Sequence, residues 1–372
     1  MLQFTNAQVL RNGRLEPGEL WVSEGKIVAP GKNPTQQIDL AGKILAPGFI
    51  DLQVNGAYGV DLTTAPEQIN TVSKYLATLG VTAFLATVVS SSPEHYRKVL
   101  PILRQFIGKT EGAILLGIHL EGPCFHPQRA HAHDKNMLKL CSAFNTPEEC
   151  YGSLEGVKLV TLAPEIPGAL SWISWLKNRG ITVSVGHSQA TVQEMQAAIK
   201  AGANMATHLY NAMQPFHHRS PGIIGVVLNS PGFFYSLIAD GVHVDPLALS
   251  LAWRSQPEGL ILVSDAMAAL GLSPGNYRLG AMQVNVTDRG AKLVGSDTLA
   301  GAICGLDQGV RNFKKFTGAF SVATLEAAST NPARVLGIYP EKGSLGQGAE
   351  ADLILLDREL DVITTYVSGR RM

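Results

Sequence analysis

Several apolar runs in this chain climb through β-branched and aliphatic residues and then stop at one acid or one histidine, followed by small or polar residues. GIHLEGP does so at Glu121, VSVGHSQAT at His187, MATHLYNAM at His208, IADGVHVD at His243 and LVSDAMAAL at Asp265. A parallel α/β barrel presents its chemistry this way, from the C-terminal ends of several strands that converge at one mouth. Strand candidates lie at 45–53, 81–89, 113–120, 157–162, 181–185, 203–206, 233–238 and 260–263. Helical patterns follow several of them, such as TVQEMQAAIKAG at 191–202 and PEQINTVSKYLATLG at 66–80, the latter stopped by Gly80. His187 to His208 and His243 to Asp265 are each about 20 residues apart, one tight βα unit. The pattern predicts a (β/α)8 barrel over 46–342. Helical patterns around 306–316 and 322–336 close it, and YRLGAMQVNVTDRGAKLVGSDTLAG at 277–301 reads as a hairpin insertion that carries loop residues to the mouth.

The two ends of the chain read differently. Residues 1–45 carry short alternating runs broken by Gly, Pro and Asn, and residues 343–372 repeat that punctuation. They are expected to pair into one small β-sandwich domain beside the barrel.

Composition narrows the function classes. The chain has 372 residues, 45% of them apolar and 16% charged, enough for one large core and a smaller module. Lys plus Arg and Asp plus Glu balance at 30 each, so no global field draws it to nucleic acid or an anionic membrane. An anionic substrate must therefore be held by a local cluster. Cys124, Cys141, Cys150 and Cys304 show neither paired metal spacing nor disulfide density, which suggests a reducing compartment. The N-terminus lacks a basic start before an apolar stretch, and no segment approaches about 18 uninterrupted apolar residues. The expectation is a soluble, cytoplasmic protein. Glu, His, His and Asp meeting at a barrel mouth read as a metal-dependent hydrolase. For any one histidine, a hydrogen-bonded strand end is the commoner role, and Asp265, ahead of Ala-Met-Ala-Ala, also suits a helix N-cap.

PGFIDLQVNG, HLEGP, TLAPE, VGHSQAT, THLYNAM, HHRSPG, ADGVHVD and LVSDAM occur in order over nearly the whole chain. Together they resemble the N-acetylglucosamine-6-phosphate deacetylases of the amidohydrolase superfamily. The resemblance implies that Glu121, His187 and His208 ligate a metal, a set that leaves an open position for water. Many amidohydrolases carry His-x-His after the first strand and bind a second metal there, whereas this chain has Gln53-Val54-Asn55. Neutral amides are poor zinc ligands, so one divalent ion per subunit is expected, zinc first, with iron(II), cobalt or manganese also suited.

Asp265 matches the family's general base and acid, and His133 the group that polarises the substrate carbonyl. His131 competes for that role, because this chain reads His131-Ala132-His133 where the family usually has Gly before Ala/Thr-His. Phosphate is expected at Arg219, assisted by the backbone amides of Asn211 and Ala212 and by His218. In the family this arginine can reach a neighbouring subunit's site, which implies a homodimer. His243 matches a sugar or phosphate contact, with a positioning role as the alternative. Leu299-Ala300-Gly301 resembles the loop that closes over the N-acetyl group, with Ala302 where Ser is common. His95, His119, His126, Trp172 and Trp175 are expected to be structural. The implied reaction is hydrolysis of the acetamide of N-acetylglucosamine 6-phosphate by metal-activated water, giving glucosamine 6-phosphate and acetate. The galactosamine epimer, or a silent sugar-phosphate-binding protein, are the alternatives.

Overall fold

The computed structural model describes residues 1–287 and 290–372. Eight strands form the barrel: β1 (Phe49–Val54), β2 (Val81–Val89), β3 (Ile114–Glu121), β4 (Val157–Leu162), β5 (Thr182–Val185), β6 (Met205–Ala206), β7 (Phe234–Ile238) and β8 (Leu260–Val263). They pair in chain order, all parallel. All nine residues of β2 are buried, as in a parallel strand covered on both faces. β8 returns to β1 through a parallel bridge from Val54 to Ala266, and Ser264 Oγ donates to Gln53 O at 3.4 Å. The barrel is thereby nearly closed.

Local chemistry explains the punctuation. The helix Val192–Ala201 starts on a reciprocal cap, in which Thr191 Oγ1 accepts from Glu194 N and Glu194 accepts from Thr191 N. The helix Ile69–Thr78 buries Ile69, Val72, Leu76 and Ala77 along one face. Gly80 then turns the chain into β2 at φ 81°, where a Cβ would stand 3.1 Å from the Phe49 ring and 2.9 Å from Val362.

Three expectations need correction. The run 45–53 is two strands: Ile44–Pro47 pairs with Leu353–Leu356 in the sheet of the chain ends, and only Phe49–Val54 enters the barrel. Gly48 marks the break, since a Cβ there would lie 2.1 Å from Thr82. The pattern at 322–336 is two helices, Ser321–Ala328 and Thr330–Val335, parted at Ser329 (φ −133°, ψ −63°). Pro332 explains this, because its ring would collide with the carbonyl of Ala328 in a continuous helix. The insertion is a three-stranded antiparallel meander, Gly275–Leu279, Met282–Thr287 and Gly290–Leu293, rather than one hairpin. Residues 288 and 289, inside it, lie outside the described residues.

The chain ends form one eight-stranded sheet. Its first strand, Leu2–Arg11, pairs with Gln36–Asp39 through residues 2–5 and with Ile44–Pro47 through residues 8 and 9. Asn6, at φ 53°, lies between the two pairings. Phe4, Leu20, Ile27, Leu45, Leu353 and Tyr366 make the core of this module. Among the described residues no helix is long and apolar enough to cross a membrane.

Candidate active site

β3, β5, β6 and β8 each deliver one group to the same end of the barrel. Glu121 is the last residue of β3, while His187, His208 and Asp265 each stand two residues beyond their strands. Those three share a left-handed backbone, at φ 50°, 35° and 49°. Such conformations are costly outside glycine and concentrate at functional sites. Here they aim three different side chains into one space by the same device.

Glu121 Oε1 lies 3.3 Å from His187 Nε2 and 3.1 Å from His208 Nε2, and the two Nε2 atoms are 3.1 Å apart. Three ligands about 2.0–2.1 Å from a tetrahedral zinc stand about 3.3 Å from one another, so this trio has the spacing of a metal site. His187 Nδ1–H donates to Arg129 O at 2.9 Å, which leaves Nε2 with its lone pair toward Glu121. Glu121, His133 and His187 also offer atoms within 4.8 Å of one another. His133 Nε2 is 3.9 Å from Glu121 Oε2, however, so the set with His208 converges more tightly. Gln53 Nε2 donates to Glu121 Oε1 at 2.8 Å.

Asp265 is 9% exposed, and Asn55 Nδ2 donates to its Oδ1 at 2.8 Å. Burial, and then the Glu121 charge, push the Asp265 pKa up to about 7. A cation on the trio acts in the opposite sense. His133 is buried, and Ser90 N donates to its Nδ1 at 3.2 Å. With Nδ1 an acceptor, the proton of the neutral ring sits on Nε2, the atom that faces Glu121. Burial, followed by the charge of His187, lowers the His133 pKa to about 3, so the ring is a neutral donor at pH 7. His131 stands exposed at the mouth, at φ 50°.

A cavity of about 460 Å³ joins these groups to Asn211, Ala212, His243, Leu299 and Gly301. Asn211 N already donates to His208 O at 2.9 Å, so its backbone amide is engaged, contrary to expectation. Its side-chain Nδ2 is instead buried without a partner among the described residues. His243 Nδ1–H donates to Asp240 Oδ2 at 2.7 Å, which presents Nε2 as an acceptor. Ala300 is fully buried and does not line the cavity. Ala302 is buried and belongs to the apolar cluster that fills the barrel interior. Arg219 and His218 lie on an exposed loop outside the cavity of their own chain.

Residue-by-residue reading missed the supports. Pattern and motif mark Asn55 only as a poor ligand and assign no role to Ser90 or Asp240. Glu165, in the TLAPE segment, accepts from Ser188 Oγ at 2.6 Å and Gln189 N at 2.7 Å, clamping the turn just after His187. The available signals are an acid next to Pro164 in the TLAPE segment for Glu165 and the place of Asp240 within IADGVHVD. His119 is structural, bonded to Thr87 and Thr161, as is His95, which holds Thr63 O at 2.8 Å.

A model of the amidohydrolase family matches residues 44–372. N-acetylglucosamine-6-phosphate deacetylase of Danio rerio is 44% identical over 388 residues, covering 100% of this chain and 96% of the relative. The Bacillus subtilis (strain 168) enzyme of that name is 37% identical over 374 residues, covering 98% and 94%. Among solved structures, a mutant N-acetyl-D-glucosamine-6-phosphate deacetylase of Mycobacterium smegmatis in complex with N-acetyl-D-glucosamine-6-phosphate has a TM-score of 0.90 at 32% identity. That likeness covers 100% of this chain and 98% of the other.

Proposed function

Because the chain belongs to the amidohydrolase family and, within it, to the N-acetylglucosamine-6-phosphate deacetylases, we propose that it hydrolyses N-acetyl-D-glucosamine 6-phosphate to D-glucosamine 6-phosphate and acetate. The observation that carries this reading is the convergence of Glu121, His187 and His208 at 3.1–3.3 Å beside the Asp265 carboxylate and the His133 donor. One divalent ion, zinc in our reading, fits that trio. It would supply Lewis acidity and bring the pKa of water to roughly 7. Asp265, with Oδ1 held by Asn55, uses Oδ2 to take the proton of the attacking water and returns it to the departing amine. Without that proton an amide would have to expel an unstable anion. His133 Nε2–H donates to the carbonyl oxygen as negative charge develops there.

The Asn211 side chain and the Ala212 amide hold the phosphate on the far side of the cavity, and His243 Nε2 accepts from a sugar hydroxyl. Arg219, exposed on its own subunit with His218 beside it, supplies charge to the site of a second copy, so we read the protein as a homodimer. Four free cysteines, three of them buried, suit a reducing cytoplasm.

Acetate release from N-acetylglucosamine 6-phosphate tests the reading, with metal content quantified and Asp265→Asn run in parallel. Turnover lost in the variant at unchanged metal content supports it. Metal-replete protein that binds the sugar phosphate without turnover would make it a silent binding protein.

A further inference from the structure

A second cavity of about 290 Å³ lies against the first, lined by Thr63, Ser91, Met137 and Met282 among others. The two share three residues, Val89, Ala132 and Leu279. These are 7%, 9% and 5% exposed, and they belong to one apolar cluster that also holds Ala300. A single layer of aliphatic side chains therefore parts the two spaces. Two of the three come from the barrel side, while Leu279 ends the first strand of the insertion. Asp61 Oδ2 holds it there by accepting from the next residue, Gly280 N, at 2.7 Å.

The position of this wall follows from the chain. Val89 precedes Ser90, which bonds His133 Nδ1, and Ala132 precedes His133 itself. The wall thus flanks the group that receives the carbonyl oxygen. β2, which ends at Val89, is four strands from β6 in a barrel of eight, directly across from the strand that leads to His208, Asn211 and Ala212. A carbonyl carbon has three substituents. With oxygen on His133 and the amide nitrogen carrying the sugar toward Asn211 and Ala212, the acyl chain is left facing the wall.

We propose that Val89, Ala132 and Leu279 form one wall of the acyl pocket that Leu299 and Gly301 also line, and that Leu279 restricts the substrate to short N-acyl chains by sealing off the second cavity. The ligand class of that cavity is the tail of a longer N-acyl glucosamine 6-phosphate. This inference rests on the amide-hydrolysis reading and adds acyl-length selection to it.

The experiment compares kcat/KM for N-acetyl-, N-propanoyl- and N-butanoyl-glucosamine 6-phosphate in the native protein, Leu279→Ala and Val286→Ala. Val286 is buried in the same cluster but lines neither cavity, so it reports general loosening of the insertion. Leu279→Ala is expected to raise the butanoyl-to-acetyl ratio by about tenfold or more, the scale of one or two methylenes in a fitted pocket, and Val286→Ala is not. An unchanged ratio in Leu279→Ala, or an equal rise in Val286→Ala, overturns the proposal. If Leu279→Ala does not fold, Leu279→Val is expected to admit propanoyl and still reject butanoyl; a uniform response of Leu279→Val to all three also overturns it. Native protein that hydrolyses none of the three refutes the hydrolase reading instead, and the same ratios measured as Kd by calorimetry then decide the wall on its own.

Discussion

Asn55→Leu tests the pairing that holds the general base. The substitution keeps the branched shape and the number of heavy atoms and removes the only side chain that donates to Asp265 among the described residues. A hydrogen bond to a charged group contributes about 1.5–3 kcal/mol. At 1.36 kcal/mol per pKa unit, losing it raises the Asp265 pKa by about one to two units. The sign follows from the ionised form being the base. Asp265 is active above its pKa and protonated below it, so a higher pKa moves the acid limb of the rate profile to higher pH. Activity at neutral pH falls, while activity on the alkaline side recovers. The fold is expected to lose little, because Asn55 Oδ1 is itself buried without a partner and its removal offsets part of the lost bond. The assay is kcat/KM for acetate release across the pH range at matched metal content. An acid limb that stays in place while activity drops equally at every pH would refute the role given to Asn55.

Glu165→Gln should loosen the turn after His187 and weaken metal affinity by about 10–100-fold, the usual cost of losing a support behind a ligand; chelator competition measures this, and KM should hold. Removing the metal with a chelator should lower Tm, since an ion that binds only the folded trio stabilises by mass action; a scanning melt with and without added zinc checks it. Arg219→Ala should raise KM without changing metal content. Mixing it with Asp265→Asn should restore activity, because one mixed dimer site would carry an intact Asp265 and a partner's arginine; no recovery after subunit exchange would count against the shared site.

Much of the barrel was legible because most of its strands are largely apolar, buried runs, and several of them end at a polar stop. Glu121, His187, His208 and Asp265 could be found one by one from those stops. What supports them could not, because the partners are remote along the chain: Asn55 and Asp265 are 210 residues apart, and Ser90 and His133 are 43 apart. The break at Gly48 was hidden because Ile44–Pro47 and Phe49–Val54 are equally buried, though in different sheets. Pro332 was a visible reason to divide the helical run, but its apolar period continued across the break. Arg219 shows a different limit. Its exposure in one chain separates it from the cavity that its motif pointed to.

The left-handed turns at His187, His208 and Asp265 have a consequence for how the sequence can drift. Each costs about 1–2 kcal/mol relative to a glycine in the same place, so together they withhold roughly 3–6 kcal/mol from a fold whose net stability is on the scale of 5–15 kcal/mol. In metal-free protein, glycine at any of them would relieve that strain and leave the site inert. A library of metal-free protein screened only for heat resistance should therefore gather glycines at these three positions, and the strand ends where heat resistance and turnover part company would mark the catalytic centre without any substrate in hand.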